Sequence, residues 1–371
     1  MKLVKLEDVC YNGSSSLSQK DIIMLEGKYP VYGASGLIKY INFYKYDKEY
    51  IAIVKDGAGI GRTMILPANS SVISTLQYIF PKENINIRYL YYALNAMDLS
   101  KYYSGVTIPH IYFKDYKKEE LYLPIIDEQI NIVNKLDKIR EIIDIRKKQI
   151  EELDELIKSQ FVELFGSPFC NEKWEIKKIG NMAEIISDGN NIETKYYQET
   201  GDVLFLRIQN VWRNEFRLDD SVYVSKEVND MYLDTSLHTG DILISKIGRY
   251  YTKDSSLGRV SLYRGENDKA NYSNNIMRIR LKPEYNSEFV NIVLNLEDYQ
   301  QHIRRESKGG TDKRALSKKI IENFEIINPP IKLQNEYVEK VKLIDKQKFE
   351  IQKNLEEMQK LQESLMNKYF G

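Results

Sequence analysis

The chain matches itself. At an offset of 205 positions Pro124 falls on Pro329, Gln129 on Gln334, Val133 on Val338, Lys135 on Lys340, Glu151-Glu152 on Glu356-Glu357, Ser159 on Ser364 and Phe165-Gly166 on Phe370-Gly371. A single gapless register of this kind marks a duplication. Upstream the correspondence continues with small changes of offset. Ile53-Val54-Lys55-Asp56-Gly57 resembles Ile244-Ser245-Lys246-Ile247-Gly248, Ile60-Gly61-Arg62 resembles Leu257-Gly258-Arg259, and the stretch from Arg88 to Asn95 parallels that from Glu288 to Asn295. The expected order is a globular unit over 1–123, a helix over 124–166, a globular unit over 167–328 and a helix over 329–371. The second unit is longer, so the copies are related without being equivalent.

Both helical segments carry apolar residues at heptad spacing. In the first, one row is Leu136, Ile143, Ile150, Ile157 and Leu164, and the other is Ile132, Ile139, Arg146, Leu153 and Gln160. In the second, the better row is Tyr337, Ile344, Ile351, Met358 and Leu365, and the weaker is Val341, Lys348, Leu355, Gln362 and Tyr369. Neither segment contains Gly or Pro before its end. Roughly 35 helical residues make a rod on the order of 50 Å long. An apolar stripe on such a rod needs a partner in water, and the other helix of the same chain is the nearest one. Ile143, Ile150, Leu153, Ile351, Leu355 and Met358 are the expected seam. An antiparallel pair would place the two units at opposite ends, and a parallel pair would place them side by side.

The globular units read as α+β. Tyr50–Val54 and Thr63–Leu66 look like strands around a glycine-rich turn, as do the stretches 202–208 and 241–244 in the second unit. The stretches 89–95 and 289–296 read as short amphipathic helices.

Composition bounds the class. With 371 residues and 42% hydrophobic residues, two or three cores can be buried. No uncharged apolar run approaches the ~18 residues of a membrane span, and the first residues lack a secretory signal. Cys10 and Cys170 cannot make a disulfide framework. The expected setting is therefore cytoplasmic. The 54 basic and 54 acidic residues cancel, so any affinity for nucleic acid must come from local patches.

Three motifs invite catalytic readings. Gly57-Ala58-Gly59-Ile60-Gly61 looks like a phosphate-binding loop, but it leads into Arg62 and a strand instead of a helix, which makes it a hairpin turn. Asn328-Pro329-Pro330-Ile331 resembles the adenine-N6 methyltransferase motif, in which an aromatic residue stacks on a flipped base. Ile331 cannot stack, and the repeat mate Leu123-Pro124-Ile125 makes the prolines a helix opening. His110, His238 and His302 show no ligand spacing, so no metal site is expected.

The segment from His302 to Lys319 holds seven Lys or Arg against two acids and reads as a dense cationic loop. Such groups neutralise phosphates, and Arg can bind guanine bidentately. Arg304, Arg305, Lys308, Lys313 and Arg314 are the DNA-contact candidates of the second unit. The repeat equivalent, 104–114, is less basic and more aromatic, and Arg62, Thr107, His110 and Lys114 are the candidates there. The 28 tyrosines would add flat faces and hydroxyls to such surfaces.

The whole chain resembles the specificity subunit of type I restriction–modification systems. Tyr29-Pro30-Val31-Tyr32-Gly33, the stretch from Val203 to Val211, and Gly240-Asp241-Ile242-Leu243-Ile244 are similar to motifs of its recognition domains. Leu123-Pro124-Ile125-Ile126-Asp127-Glu128-Gln129 and its copy from Asn328 to Gln334 look like the entries to its repeat helices. The resemblance implies two α/β target-recognition domains separated by an antiparallel coiled coil, reading a bipartite, asymmetric site on double-stranded DNA. It implies two methyltransferase subunits as partners, with nuclease/translocase subunits reached through them. S-adenosylmethionine, ATP and Mg²⁺ would belong to those partners, leaving this chain without a cofactor or catalytic role. The rival classes are a methyltransferase using Asn328-Pro329-Pro330 and a purely structural coiled-coil scaffold.

Overall fold

The computed structural model describes residues 2–105, 109–169 and 171–371. The chain divides into two compact units, Met1–Ile150 with Glu350–Gly371, and Glu151–Phe349.

The same strand plan occurs in each unit. In the first, Cys10–Ser14, Leu76–Pro81, Tyr50–Val54 and Thr63–Leu66 lie side by side in that order, all antiparallel. In the second, Ala183–Asp188, Ile276–Leu281, Ile242–Ser245 and Val260–Leu262 repeat the order and the sense. Tyr50–Val54 and Ile242–Ser245 have a neighbour on each side and are buried along their whole length. A strand covered on both faces needs apolar residues without alternation, which explains Tyr-Ile-Ala-Ile-Val. Three-stranded sheets are doubled too. Gly36–Ile41, Tyr29–Gly33 and Ser71–Val72 correspond to Val222–Val224, Val203–Leu206 and Ala270–Tyr272, each set with one antiparallel and one parallel pairing. Finally Lys2–Lys5 pairs with Glu120–Leu123, and Ile176–Lys178 with Glu325–Ile327.

A helix follows the main sheet in both units, Ile87–Ala96 and Ser287–Asn295. Asn86 and Asn286 cap them, accepting from the backbone N–H of Tyr89 at 3.2 Å and of Phe289 at 3.0 Å. Asparagine suits this position because its side chain supplies the acceptor that the first turn lacks.

Two 40-residue helices, Ile126–Phe165 and Ile331–Phe370, end the repeats, and the unit boundary falls inside both. In the first unit Ile132, Val133 and Leu136 enter the same core as Leu365, Met366, Tyr369 and Phe370. Further along, Ile139, Ile143 and Leu355 form a seam joined by Ile150, Met358 and Leu365. One helix is followed forwards while its partner is followed backwards, so the pairing is antiparallel. The second unit has the same sense: Tyr337 donates its hydroxyl to the Ile157 carbonyl at 2.9 Å, and Lys348 pairs with Asp154. Phe161 and Phe165 lie against Tyr337 with ring centroids 5.8 and 5.3 Å away. Among the expected seam residues, Ile143 and Leu355 are buried, while Ile150, Leu153, Ile351 and Met358 are half-buried.

One expectation needs correction. The segment from His302 to Lys319 is not a loop. Glu297–Glu306 is helical, Lys308–Gly309 and Lys313–Ala315 are paired strands, and Lys318–Glu322 is a short helix. The tyrosines serve the core as well as the surface. Tyr50, Tyr78, Tyr89, Tyr116, Tyr272, Tyr299 and Tyr337 are fully buried. Tyr89 and Tyr299 spend their hydroxyls on the carbonyls of Tyr122 and Glu325, both at 2.8 Å, as a buried phenol requires.

Candidate nucleic-acid interface

In the second unit Ile247–Arg249, Lys313–Ala315 and Lys308–Gly309 make a three-stranded sheet with Lys313–Ala315 in the centre. Its residues present Arg249, Lys308, Lys313 and Arg314. Gly309 has φ +145°, and a Cβ there would press on the backbone of Lys313, so the hairpin requires glycine. The guanidinium carbon of Arg314 lies 3.9 Å from the centroid of Tyr250. Arg304, in the last turn of Glu297–Glu306, donates to the carbonyls of Thr252 at 3.2 Å and Lys253 at 3.0 Å. Arg304 and Arg314 therefore converge on one segment, 250–253, Arg304 holding its backbone and Arg314 the ring of Tyr250. Lys308, Lys313 and Arg305 are exposed. Arg249 is 74% exposed at its side chain, and its distance of 3.8 Å to Asp312 leaves it largely free to meet a phosphate.

The first unit keeps this arrangement in reduced form. Single bridges join His110 to Asp56 and to Ser104. The backbone N–H of Ile111 donates to the Lys55 carbonyl at 2.9 Å, and that of Leu316 to the Lys246 carbonyl at 2.8 Å, which fixes the equivalence of the two sites. His110 Nδ1 sits 2.6 Å from Asp56 Oδ1, within reach to donate to the carboxylate and leave Nε2 as an acceptor. The ring of Tyr112 stacks on His110 with centroids 6.4 Å apart, and Lys114 Nζ lies 5.4 Å from the Tyr112 centroid. His110 and Lys114 are thus brought together through Tyr112. Arg62 stands apart from them, exposed and folded back to donate to the Gly59 carbonyl at 3.3 Å. The Gly57–Gly61 segment is the hairpin turn between Tyr50–Val54 and Thr63–Leu66, with Gly57 at φ +91° and Gly61 at φ +84°. Thr107 lies outside the described residues.

Beside Tyr112 and Lys114 opens a pocket of about 530 Å³ that also takes in Tyr11, Lys55, Lys82 and Lys117. Lys117 pairs with Glu7 at 2.7 Å and Lys82 donates to the Glu7 carbonyl at 2.7 Å. Cys10 borders the same space, but burial pushes its thiol up to about 12, so it is no nucleophile at neutral pH. Lys55, Tyr11 and Lys82 escaped the sequence reading. So did Arg249, Tyr250, Trp212, Arg217 and Arg259 in the second unit. Lys55 and Arg259 stand inside the repeated segments, and their recurrence with Lys246 and Arg62 was the signal that could have found them.

The motifs with catalytic or metal-binding overtones have structural occupations. Asn328 accepts from the Gln334 side chain at 3.3 Å, and its N–H donates to the Glu175 carbonyl at 2.7 Å, so it is tied into the opening of Ile331–Phe370. Among the described residues, no group of three or more His, Cys, Asp or Glu is placed to hold a metal ion, and no helix is long and apolar enough to cross a membrane.

The model of the type I restriction modification DNA specificity domain matches residues 1–155 and again 171–360. The chain belongs to that family. It is the DNA-recognising, non-catalytic member of a type I restriction–modification system. The MjaVIII specificity subunit of Methanocaldococcus jannaschii is 24% identical over 369 residues, covering 92% of this chain and 85% of that protein. The MjaIX specificity subunit of the same organism is 28% identical over 155 residues, covering 36% of this chain but 35% of its own length. The type I S subunit from M. genitalium shares the fold with a TM-score of 0.67 at 17% identity, covering 100% of this chain and 96% of that one. In this specificity chain the Gly240-Asp241 motif is a strut. Asp241 is fully buried and receives Nε and an Nη of Arg280, both at 2.7 Å.

Proposed function

We propose that each unit reads one half of a bipartite target on duplex DNA, and that the two halves differ. The observation that carries this is the contrast between equivalent places in the two units. One presents Arg249, Lys308, Lys313 and Arg314 on a three-stranded sheet, and the other presents the Asp56–His110 pair beside Tyr112 and Lys114. Donors and acceptors so different match different base edges, whereas a symmetric dimer would favour a palindrome.

The expected partners are two methyltransferase subunits, with nuclease/translocase subunits joined through them, in the cytoplasm. The methyltransferases would extrude an adenine from each half-site, the target needing to leave the stack before it can react. S-adenosylmethionine, ATP and Mg²⁺ belong to those subunits in this reading. Because the chain is electrically neutral overall, its own grip on DNA should be weak, with much of the phosphate neutralisation supplied by the partners.

Genome-wide mapping of N6-methyladenine tests the proposal, comparing cells with and without this chain while the methyltransferase subunit is present. Loss of one split, non-palindromic motif is the expected result. An unchanged methylome, or loss of a palindrome, would refute it.

A further inference from the structure

Lys253, whose carbonyl Arg304 holds, also lines a second pocket, about 400 Å³ in volume, together with Asp254 and Ser255. Trp212 lines it. The guanidinium carbon of Arg217 lies 3.5 Å from the indole centroid and that of Arg259 lies 3.6 Å from it. Two groups that close cannot share one face, so the ring is held between two cations. Arg213 and Arg304 complete a group of four arginines, with Lys253 at the rim.

The charges in this pocket are not balanced. Glu297 pairs with Arg213 at 2.7 Å and Glu215 with Arg217 at 2.6 Å. Arg259 and Arg304 make no carboxylate ion pair among the described residues and donate to backbone carbonyls instead, Arg259 to that of Asp254. Arg259 is 8% exposed, and the Nε of Arg304 is buried without a hydrogen-bond partner. Burial is the main cause that depresses both guanidinium groups, helped by Arg217, Arg213 and Arg304 at Arg259 and by Arg213 at Arg304, while Asp254 opposes it at both and Glu297 at Arg304. Arginine does not shed its proton under such pressure, so the pocket keeps an excess of positive charge.

The wall is held in place beforehand. Trp212 donates its ring N–H to the Gln209 carbonyl at 2.9 Å and its backbone N–H to that of Glu215 at 3.0 Å. Asn214, at φ +56°, donates its backbone N–H to the Val260 carbonyl at 2.8 Å and accepts from the Asn291 side chain at 2.7 Å. A rigid ring held between two guanidinium groups, in a pocket where Arg213, Arg217, Lys253, Arg259 and Arg304 outnumber Glu215, Asp254 and Glu297, has the makings of a receptor for a small oxyanion.

We propose that this pocket binds a phosphoryl oxyanion, and that on DNA the group is a backbone phosphate which fixes the second unit's register without reading a base. The DNA assignment rests on the proposed function, while the oxyanion site stands on the pocket itself. Planar guanidinium forks match phosphate oxygens, and contacts of this kind position a protein without conveying sequence. Lys253 and Arg304 tie the pocket to the segment 250–253, which Arg314 of the cationic sheet meets at Tyr250.

Two measurements test it. The chain has two tryptophans, so Trp174→Phe leaves Trp212 as the sole indole reporter. Titrating the full-length variant with inorganic phosphate at constant ionic strength should give a saturable fluorescence change, weakened by Lys253→Gln and abolished by Arg304→Gln. A flat titration of folded protein overturns the oxyanion site. The second measurement uses the chain assembled with its methyltransferase subunits, on target and unrelated duplexes across a range of salt. The double variant Lys253→Gln/Arg304→Gln should weaken both alike by several-fold, lower the salt slope by about one, and leave the methylated motif unaltered. An altered motif would make these residues base readers, and loss of methyltransferase association with an intact slope would assign the pocket to a protein carboxylate. Either result overturns the phosphate role, as does phosphate saturation with an unchanged slope for the DNA half of it. If the unsubstituted assembly shows no binding that depends on this chain, the proposed function fails, and the phosphate titration still decides the pocket.

Discussion

Gln129 donates to the carbonyl of Pro124 at 2.8 Å, and Gln334 donates to that of Pro329 at 2.7 Å. Both side chains are buried, and each closes the start of a long helix by folding back five residues. The device explains why proline and glutamine recur at a fixed spacing in the two halves. It also explains why Asn328-Pro329-Pro330 is not a catalytic motif, since its polar atoms serve the helix opening.

Replacing either glutamine with leucine leaves buried carbonyls unpaired, at about 1–3 kcal/mol. Gln129→Leu should cost more than Gln334→Leu, because Gln129 also accepts the Asn86 N–H at 2.8 Å and donates to the Asn84 carbonyl at 3.2 Å. Urea unfolding followed by circular dichroism gives the two midpoints, and the reverse order would contradict the account.

The helix seam makes a graded prediction. Leu355→Ala removes a buried side chain packed on Ile139 and Ile143 and should destabilise by about 2–5 kcal/mol. Leu153→Ala and Ile351→Ala, at half-buried positions, should cost less. Denaturant midpoints of the three variants suffice, and equal losses would deny that burial governs the seam.

Asp241→Asn should be among the most damaging polar changes. It leaves Arg280 with a neutral partner in place of a two-point carboxylate and weakens the acceptor for the His238 N–H, now 2.8 Å away. Breaking a buried pair from one side costs about 3–5 kcal/mol. Thermal unfolding measures this, and a change below about 1 kcal/mol would place the Gly240-Asp241 motif outside the structural core.

Asp345 supplies a pH test. Burial raises its carboxyl above the ordinary range, against the opposing pull of Lys348 and Arg264. The folded chain then holds this proton more tightly than the unfolded chain does. Its contribution to stability is present below the unfolded carboxyl pKa and is lost as pH rises through the folded one. Asp345→Asn should therefore stabilise the protein at neutral pH, with the advantage shrinking in acid. A variant equally stable, or less stable, at neutral pH would contradict the burial argument.

Arg314→Ala should weaken or relax one half of the methylated motif and leave the other half intact. Methylome sequencing reads both halves at once. Identical changes in the two would break the assignment of one half-site to each unit.

Much of the architecture was legible because duplication leaves the same local chemistry at two places. Pro-to-Gln spacing, apolar heptads and the Lys55/Lys246 segments need no tertiary information to be matched. The sense of the helix pairing was not legible from the stripes, which either orientation satisfies. It follows from which core Tyr337 and Tyr369 enter. The cationic segment was misread as a loop because Gly309-Gly310 and clustered charge look irregular, whereas its strand pairing to Ile247–Arg249 is long-range. The Trp212 pocket was hidden for the same reason: Arg217, Arg259 and Arg304 are scattered in sequence and meet only in the fold.

The first unit is discontinuous, since Leu365, Met366, Tyr369 and Phe370 complete a core otherwise built from residues before Ile150. Domains generally close as they emerge from the ribosome, the earlier part first. Here the earlier part cannot finish until residues 350–371 have been synthesised. During elongation the Ile132–Leu136 face stays uncovered until that last stretch has been made.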